Sequence, residues 1–408
     1  MLLHPSFTDY CWLVSAAAEP WLQRVSEHTG SLVQLTSALR DELTAVQTHL
    51  VLEMVELRRR ARVKFAQADQ MFFTSQGLEQ SSGERIAEYK SRRFHLKVPA
   101  ADFCCGVGGD LLSIARRCPV IAVDRCPIAT LIARMNCQVS GVPAVTVLER
   151  AVSLDLLANL GQWHVDPDRR VASRRTTRIE QYDPGRELLN VLLNENRNAA
   201  VKLAPAANVP LEWRDAELEW ISDGRECKQL VAWFGKLAKH AGLCAATCID
   251  KAGVATTLTG HPDVPIPIAA RVGDFIYEPD AAVMASGLVG AMAHSAGLES
   301  VSPLCGYLTG PWCELNPLRL GFRVIEMLPL DIKRLRALLQ AKNIGRLTVK
   351  KRGVDLDPSR LVKKLSPSGD QEATLLVMPR AGKTLAVLAD RVETDRAADL
   401  NHKTSHEN

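Results

Sequence analysis

Between Pro99 and Val142 the chain reads PAADFCCGVGGDLLSIARRCPVIAVDRCPIATLIARMNCQVSGV, and no other stretch restricts the fold as tightly. A short apolar strand ends at Asp102. A turn over Cys105, Gly106, Val107, Gly108 and Gly109 leads into a helix, then a second strand ending at Asp124 and a second helix. This is a βαβα unit, the opening of an open α/β sheet. Gly106 and Gly108 suit a turn against which a ligand lies, and the free N–H groups of the following helix face the same place. Asp124 closes the second strand about 20 residues on, where a carboxylate binds a ribose diol. The spacing therefore predicts a nucleoside-bearing cofactor.

Two cofactor classes use such a turn. A dinucleotide site prefers G-x-G-x-x-G, with the pyrophosphate on the helix N-terminus. Here the pattern is D-x-C-C-G-x-G-G-D, with Asp102 closing the strand and Asp110 opening the helix. Those acids repel a pyrophosphate and tolerate a sulfonium and an ammonium group. The stretch resembles motif I of class I S-adenosylmethionine-dependent methyltransferases. S-adenosyl-L-methionine is thus the predicted cofactor, with Asp102, Cys104, Gly106, Gly108 and Asp124 at its site, and a nicotinamide dinucleotide is the less favoured occupant.

The chain has 408 residues and a net charge of +4, which predicts two or three domains with ample core and does not by itself require a polyanionic partner. Its 11 cysteines include no C-x-x-C pair, so no metal site is expected, and their scatter suits buried thiols in a reducing cytoplasm. Neither Cys104 nor Cys105 adjoins a histidine or lysine, and both read as small side chains packed beneath a ligand. No segment is apolar for long enough to span a membrane.

The pattern divides the chain into a helical N-terminal region (1–70), a methyltransferase core (71–262), a helical linker (263–320), a small β-α-β-α-β-β domain (321–392) and a disordered tail (393–408). In the N-terminal region a continuous helix is expected from Ser31 through Ala68, ending in the basic run Arg58 to Lys64. In the core, VTVLE (Val145 to Glu149) is a third strand and WHVDPDRR (Trp163 to Arg170) a fourth. AAVKLAP (Ala199 to Pro205) is a fifth. Asp-Gly at 223–224 joins two strand-forming runs into a hairpin expected at a sheet edge, completing seven strands. Asp280 to Leu298 reads as one alanine- and glycine-rich helix. The last domain has the order of a ferredoxin-like α+β unit.

Acceptor chemistry belongs at the carboxyl ends of the central strands, where Asp166-Pro167-Asp168-Arg169-Arg170 falls. This resembles the D/N-P-P-Y/F/W motif of amino-group methyltransferases. That likeness gives Asp166 and the Pro167 carbonyl the hydrogens of an exocyclic amine and puts Arg169 where an aromatic side chain stacks; a guanidinium stacks or holds a phosphate instead. In the last domain Lys350, Lys351 and Arg352 end a strand, with Lys350 and Arg352 on one side of it, as a phosphate-binding face requires.

Taken in order, LEQSSGERIAEYKSRR, DFCCGVGGDLLSIAR, VIAVDRCPIATLIARMN, DPDRR, VKLAP, AELEWISDGRECKQLVAWFG, YLTG, FRVIE and IGRLTVKKRGVDLDP resemble the bacterial class I methyltransferases that end in a THUMP-like domain. The likeness runs from about residue 70 to about residue 390. More distantly, the front half is similar to trimethylguanosine-synthase-type RNA cap methyltransferases. The resemblance implies a Rossmann-like seven-stranded core, S-adenosylmethionine as methyl donor, and an RNA such as tRNA or rRNA as substrate, N-methylated on a base. The competing expectation is a catalytically inactive RNA-binding protein that keeps the fold.

Overall fold

The structure is a computed structural model and describes residues 5–142, 145–171, 174–303 and 305–392. The expected tail lies outside them. The chain forms two compact units. One holds the described residues up to 217 together with 230–242, and the other holds 218–229 and those from 243 onward. The boundary expected at Pro262 therefore lies inside the second unit.

Four helices open the first unit: α1 (Phe7–Leu13), α2 (Glu19–Glu27), α3 (Leu32–Arg40) and α4 (Ala45–Ala61). The continuous helix expected from Ser31 to Ala68 is broken at 41–44. Thr44 accepts the Gln47 N–H at 3.2 Å while the Gln47 side chain accepts the Thr44 N–H at 3.0 Å, a capping box that starts a helix afresh. Leu50, Val51, Met54 and Leu57 form the buried face of α4. Arg58, first of the basic run, is buried too: its Nε donates to the Met71 carbonyl at 2.9 Å, and its guanidinium lies over the Phe72 ring. Helices α5 (Ser75–Gln80) and α6 (Glu84–Ser91) then lead into the sheet.

The sheet begins with β1 (Ala100–Phe103), α7 (Leu111–Ala115), β2 (Val120–Asp124), α8 (Pro127–Val139) and β3 (Val145–Glu149), followed by β4 (Gln162–Val165). A two-stranded ribbon, β5 (Arg170–Val171) and β6 (Arg174–Arg175), precedes α9 (Arg186–Glu195) and β7 (Ala199–Leu203). The fourth strand thus stops at Val165, and Arg170 belongs to the ribbon. Strands β3, β2, β1, β4 and β7 run parallel in that order. The order reverses between β1 and β4, and in open α/β sheets ligands bind at the carboxyl ends beside such a switch. Phe103 and Trp163, with centroids 5.9 Å apart, pack beneath that point. Asn136 of α8, fully buried, ties the following turn in place: its Nδ2 donates to the carbonyls of Val107 at 2.8 Å and Phe72 at 3.0 Å, and its Oδ1 accepts the Phe72 N–H at 2.8 Å.

The Asp-Gly hairpin is β8 (Glu217–Asp223) and β9 (Glu226–Trp233), and β9 runs antiparallel to β7. The edge expected there is absent, because β8 pairs on its other side with β10 (Cys244–Ile249), and β10 with β11 (Ala255–Gly260). Two strands thus extend the seven expected.

A second sheet follows. The stretch expected as a helical linker supplies three of its strands, β12 (Phe275–Pro279), β13 (Glu299–Ser300) and β14 (Leu308–Gly310), and the expected single helix is two, α10 (Ala281–Ala285) and α11 (Val289–Ala296). Gly287, at φ +72°, turns the chain between them. The remainder has the predicted order: β15 (Arg319–Pro329), α12 (Ile332–Ala341), β16 (Ile344–Lys351), α13 (Pro358–Leu365), β17 (Gln371–Arg380) and β18 (Lys383–Val392). In space the strands run β13-β14-β12-β15-β18-β17-β16. Leu335, Leu339, Leu361 and Leu365 of α12 and α13 pack on Leu375, Val377 and Leu388 of one face. Ile276, Tyr307 and Phe322 share the core on the other with Leu376 and Val387.

Candidate active site

A cavity of about 640 Å³ opens at the carboxyl ends of β1, β2 and β4, a volume that suits a nucleoside cofactor plus a reacting group. Asp102, Cys104, Gly106, Asp124, Asp166, Pro167 and Arg169 line it together. Gly108 does not; at φ +91° it bends the turn beneath, facing Leu111 and Leu112. Gly106, at φ +54°, has open space where a Cβ would point. Cys104 takes φ +57°, a conformation costly for a side chain and tolerated where the surroundings impose it. Burial, reinforced by Asp124 and Asp166, pushes its thiol well above the ordinary range, so it does not supply a thiolate at neutral pH.

Asp124 is oriented by main-chain donors: Gly106 N–H to Oδ2 at 3.0 Å and Cys126 N–H to Oδ1 at 2.9 Å. Each oxygen keeps a lone pair for a ribose hydroxyl. Beyond β3 the wall is Arg150, Ala151 and Val152. Glu149, the last residue of β3, pairs in register with Asp124 and does not line the cavity.

Beneath the turn lies a network of charged side chains that motif spacing did not reveal. His164 of β4 meets Asp102 Oδ1 through Nδ1 at 2.7 Å, and its Nε2 lies 3.5 Å from Lys90 Nζ. Lys90 in turn pairs with Asp110 Oδ1 at 2.7 Å, and Ser82 Oγ donates to Asp110 Oδ2 at 2.8 Å. Lys90, Asp102 and His164 are each no more than 2% exposed. With a proton on Nδ1, His164 donates to Asp102 and offers Nε2 to the Lys90 ammonium. Burial lowers the Lys90 ammonium below its ordinary range against the pull of Asp110. At Asp110 burial works upward, but Lys90 and the other nearby cations prevail and hold the carboxyl below its usual range. Burial wins at Asp102, which is raised.

Next to it, Lys202 of β7 is 5% exposed and reaches Asp166 Oδ2 at 2.5 Å. Asp166 Oδ1 has no hydrogen-bond partner among the described residues. The sequence did carry a signal for Lys202 and His164: each is a polar residue inside a strand that is buried along its whole length.

The residues present fit S-adenosylmethionine. Asp102 Oδ2 is buried and has no partner, an expensive condition unless a ligand donor meets it. Asp102 and Asp124 both line the cavity beside the glycine turn, where carboxylates favour a ligand's sulfonium and ammonium groups over a pyrophosphate. Among the described residues no His, Cys, Asp or Glu cluster is arranged to hold a metal ion, and no helix is long and apolar enough to cross a membrane.

Fold and cavity together define a class I methyltransferase. The chain is 30% identical over 370 residues to uncharacterized S-adenosylmethionine-dependent methyltransferases from two strains of Mycobacterium tuberculosis, an alignment covering 87% of this chain and 95% of each relative. A solved chain from Porphyromonas gingivalis W83, described as a candidate methyltransferase, superposes with a TM-score of 0.74 at 20% identity, covering 96% of this chain and all of that one. A family profile described as THUMP domain-like matches residues 320–391, that is β15 to β18. The chain belongs to the S-adenosylmethionine-dependent methyltransferases that carry this THUMP-like domain at the C-terminal end, and S-adenosylmethionine is its cofactor.

The remaining predicted residues lie in the second unit. Lys350 Nζ reaches Glu278 Oε2 at 2.7 Å, and Arg352 approaches Glu278 Oε1 at 3.5 Å. Lys351 between them is exposed. The three do not form one open stripe.

Proposed function

We propose that this enzyme methylates a nitrogen of a base in RNA. The carrying observation is Asp166: one carboxylate oxygen is anchored by Lys202 and the other is free, on a side chain that lines the cavity beside the glycine turn. An anchored acid with one open acceptor can orient an exocyclic amine so that its lone pair points along a single line. Bound in the cavity, S-adenosylmethionine supplies an electrophilic methyl group on a sulfonium. Asp102 takes the ammonium end through its unpartnered oxygen, Asp124 takes the ribose hydroxyls, and Gly106 lets the main chain approach. Asp166 Oδ1 and the Pro167 carbonyl accept the hydrogens of the amine, and Asp166 receives the proton released when that nitrogen is alkylated. Arg169 packs against or pairs with the incoming nucleotide, and Lys351, flanked by Lys350 and Arg352, contributes phosphate contact from the THUMP-like domain. The domain's kinship with THUMP modules supports RNA as the substrate class.

The test is tritiated methyl transfer from S-adenosylmethionine into total RNA, total protein and a small-molecule extract, followed by nucleoside digestion. Label in a base-methylated nucleoside is expected. Label confined to protein or small molecules would refute the proposal, and label on ribose would refute the assigned acceptor.

A further inference from the structure

The ribbon β5–β6 has an unusual composition: five of the ten residues from Arg169 to Arg178 are arginine, and none is acidic. Its register sets Arg170 directly opposite Arg175 and Val171 opposite Arg174. The Thr176 N–H, donating to the Arg169 carbonyl at 2.8 Å, extends it by a further pair. Like charges directly across an antiparallel ribbon destabilise it. One carboxylate offsets them: Glu79 of α5 lies 2.7 Å from Arg175 and 3.4 Å from Arg170. Arg174 and Arg178 are exposed and pair with no carboxylate among the described residues.

A ribbon of two residues per strand buries no core of its own, so nothing in its folding calls for this charge. Its position gives the charge a use. Arg169, Arg170 and Arg175 line the cavity that contains Asp166, while Arg174 and Arg178, outside its lining, are exposed in the same short stretch of chain. A base reaching Asp166 must leave its stack and enter the cavity, which brings its flanking phosphates along the ribbon. Guanidinium groups match phosphate oxygens in planar pairs.

Resting on the proposal that RNA is the substrate, we propose that Arg169, Arg170, Arg174, Arg175 and Arg178 are the backbone clamp of this enzyme, holding the phosphates on either side of the target base of a single-stranded RNA. Glu79 is its built-in counter-ion, which an arriving phosphate displaces from the Arg170–Arg175 pair.

The experiment is fluorescence anisotropy of a labelled mixed-sequence single-stranded RNA with the full chain, from about 50 to about 200 mM salt, a range over which phosphate contacts are lost steeply. Arg174→Gln/Arg178→Gln is expected to weaken binding roughly tenfold and to reduce the log–log salt slope by about 1.4, about 0.7 per lost contact on a single strand. Glu79→Gln is expected to strengthen binding several-fold, a sign that loss of structure does not produce. Calorimetry with S-adenosylmethionine serves as the fold control, with cofactor affinity retained in both variants. If the unaltered chain binds RNA and neither variant changes affinity or slope, the clamp is refuted while RNA as substrate stands. If the unaltered chain neither binds nor methylates RNA, both fail together. If an acidic peptide competes with the RNA and responds to the same variants, the clamp is also refuted.

Discussion

Each unit of this enzyme buries a knot of acids and cations, and the two knots differ in one respect. In the second unit Glu278 and Asp280 are 7% and 0% exposed, and all four of their oxygens are met by the chain. Lys350 and Arg352 take the two oxygens of Glu278. The Ser222 hydroxyl and the Ala282 N–H take one oxygen of Asp280, while Cys248 and Arg225 approach the other. Beneath the methyltransferase turn Asp110 meets the Lys90 ammonium through Oδ1 as an ion pair and accepts from Ser82 through Oδ2, but no charge or donor meets Asp102 Oδ2 among the described residues, and Asp166 is held through Oδ2 alone. Buried charge closes on itself where it serves the fold and is left short of a partner where a ligand completes it. Charge and burial alone do not distinguish the two cases; the inventory of partners does.

The contrast can be broken most sharply at Lys90. Lys90→Met strands Asp110 in a site almost without solvent, and is expected to lower the unfolding free energy by about 3–5 kcal/mol in urea titration at neutral pH. It also changes the acid limb. Asp110 is held below its usual range in the folded state, so its contribution is present above the ordinary aspartate value and is lost as pH falls through that value toward the folded one. Stability measured from pH 6 downward should fall less steeply in the variant; a loss under about 1 kcal/mol would make the pair dispensable.

Asp166→Ala tests the free oxygen. Methyl transfer should fall by at least about 10²-fold, as expected when an aligned acceptor loses its guide, while calorimetric affinity for S-adenosylmethionine is retained; undiminished turnover would remove Asp166 from the acceptor site. Asp102→Asn should act the other way round, weakening cofactor binding by about tenfold through loss of one charge-assisted bond. Because burial raises the Asp102 carboxyl, its folded form gains stability when protonated and loses it as pH rises through the folded value. At neutral pH the asparagine variant is therefore expected to be no less stable than the parent without ligand, and a large loss would assign Asp102 to the fold. The smallest effect belongs to the closed knot. With Lys350 33% and Arg352 25% exposed, solvent takes over much of their pairing, and Glu278→Gln should cost about 1 kcal/mol with no change in cofactor affinity.

Much of the catalytic unit was legible in the residues. Strand-turn-helix spacing, the Asp102 and Asp124 strand ends, and Asp-Gly at the hairpin are local signals, and the structure places each where local chemistry requires. The breaks at Thr44 and Gly287 are local as well, but apolar periodicity continues across both and masks them. Lys350 and Arg352 show the opposite failure. The strand expected to end at Arg352 ends at Lys351, and the carboxylate that binds Lys350 and Arg352 comes from Glu278, 72 residues from Lys350 in the chain.

By itself, then, the sequence determined the class of fold, the glycine turn and the two carboxylates that line the cavity beside it, since these depend on backbone geometry over a few consecutive residues. Tertiary structure alone decided which buried charges are complete and which are open. It brought Lys90 from α6, Asp102 from β1, His164 from β4 and Lys202 from β7 to one place. It also set Glu79 against the arginine ribbon, almost one hundred residues away along the chain. Charge satisfaction is a property of distance in space, and a linear pattern carries no measure of it.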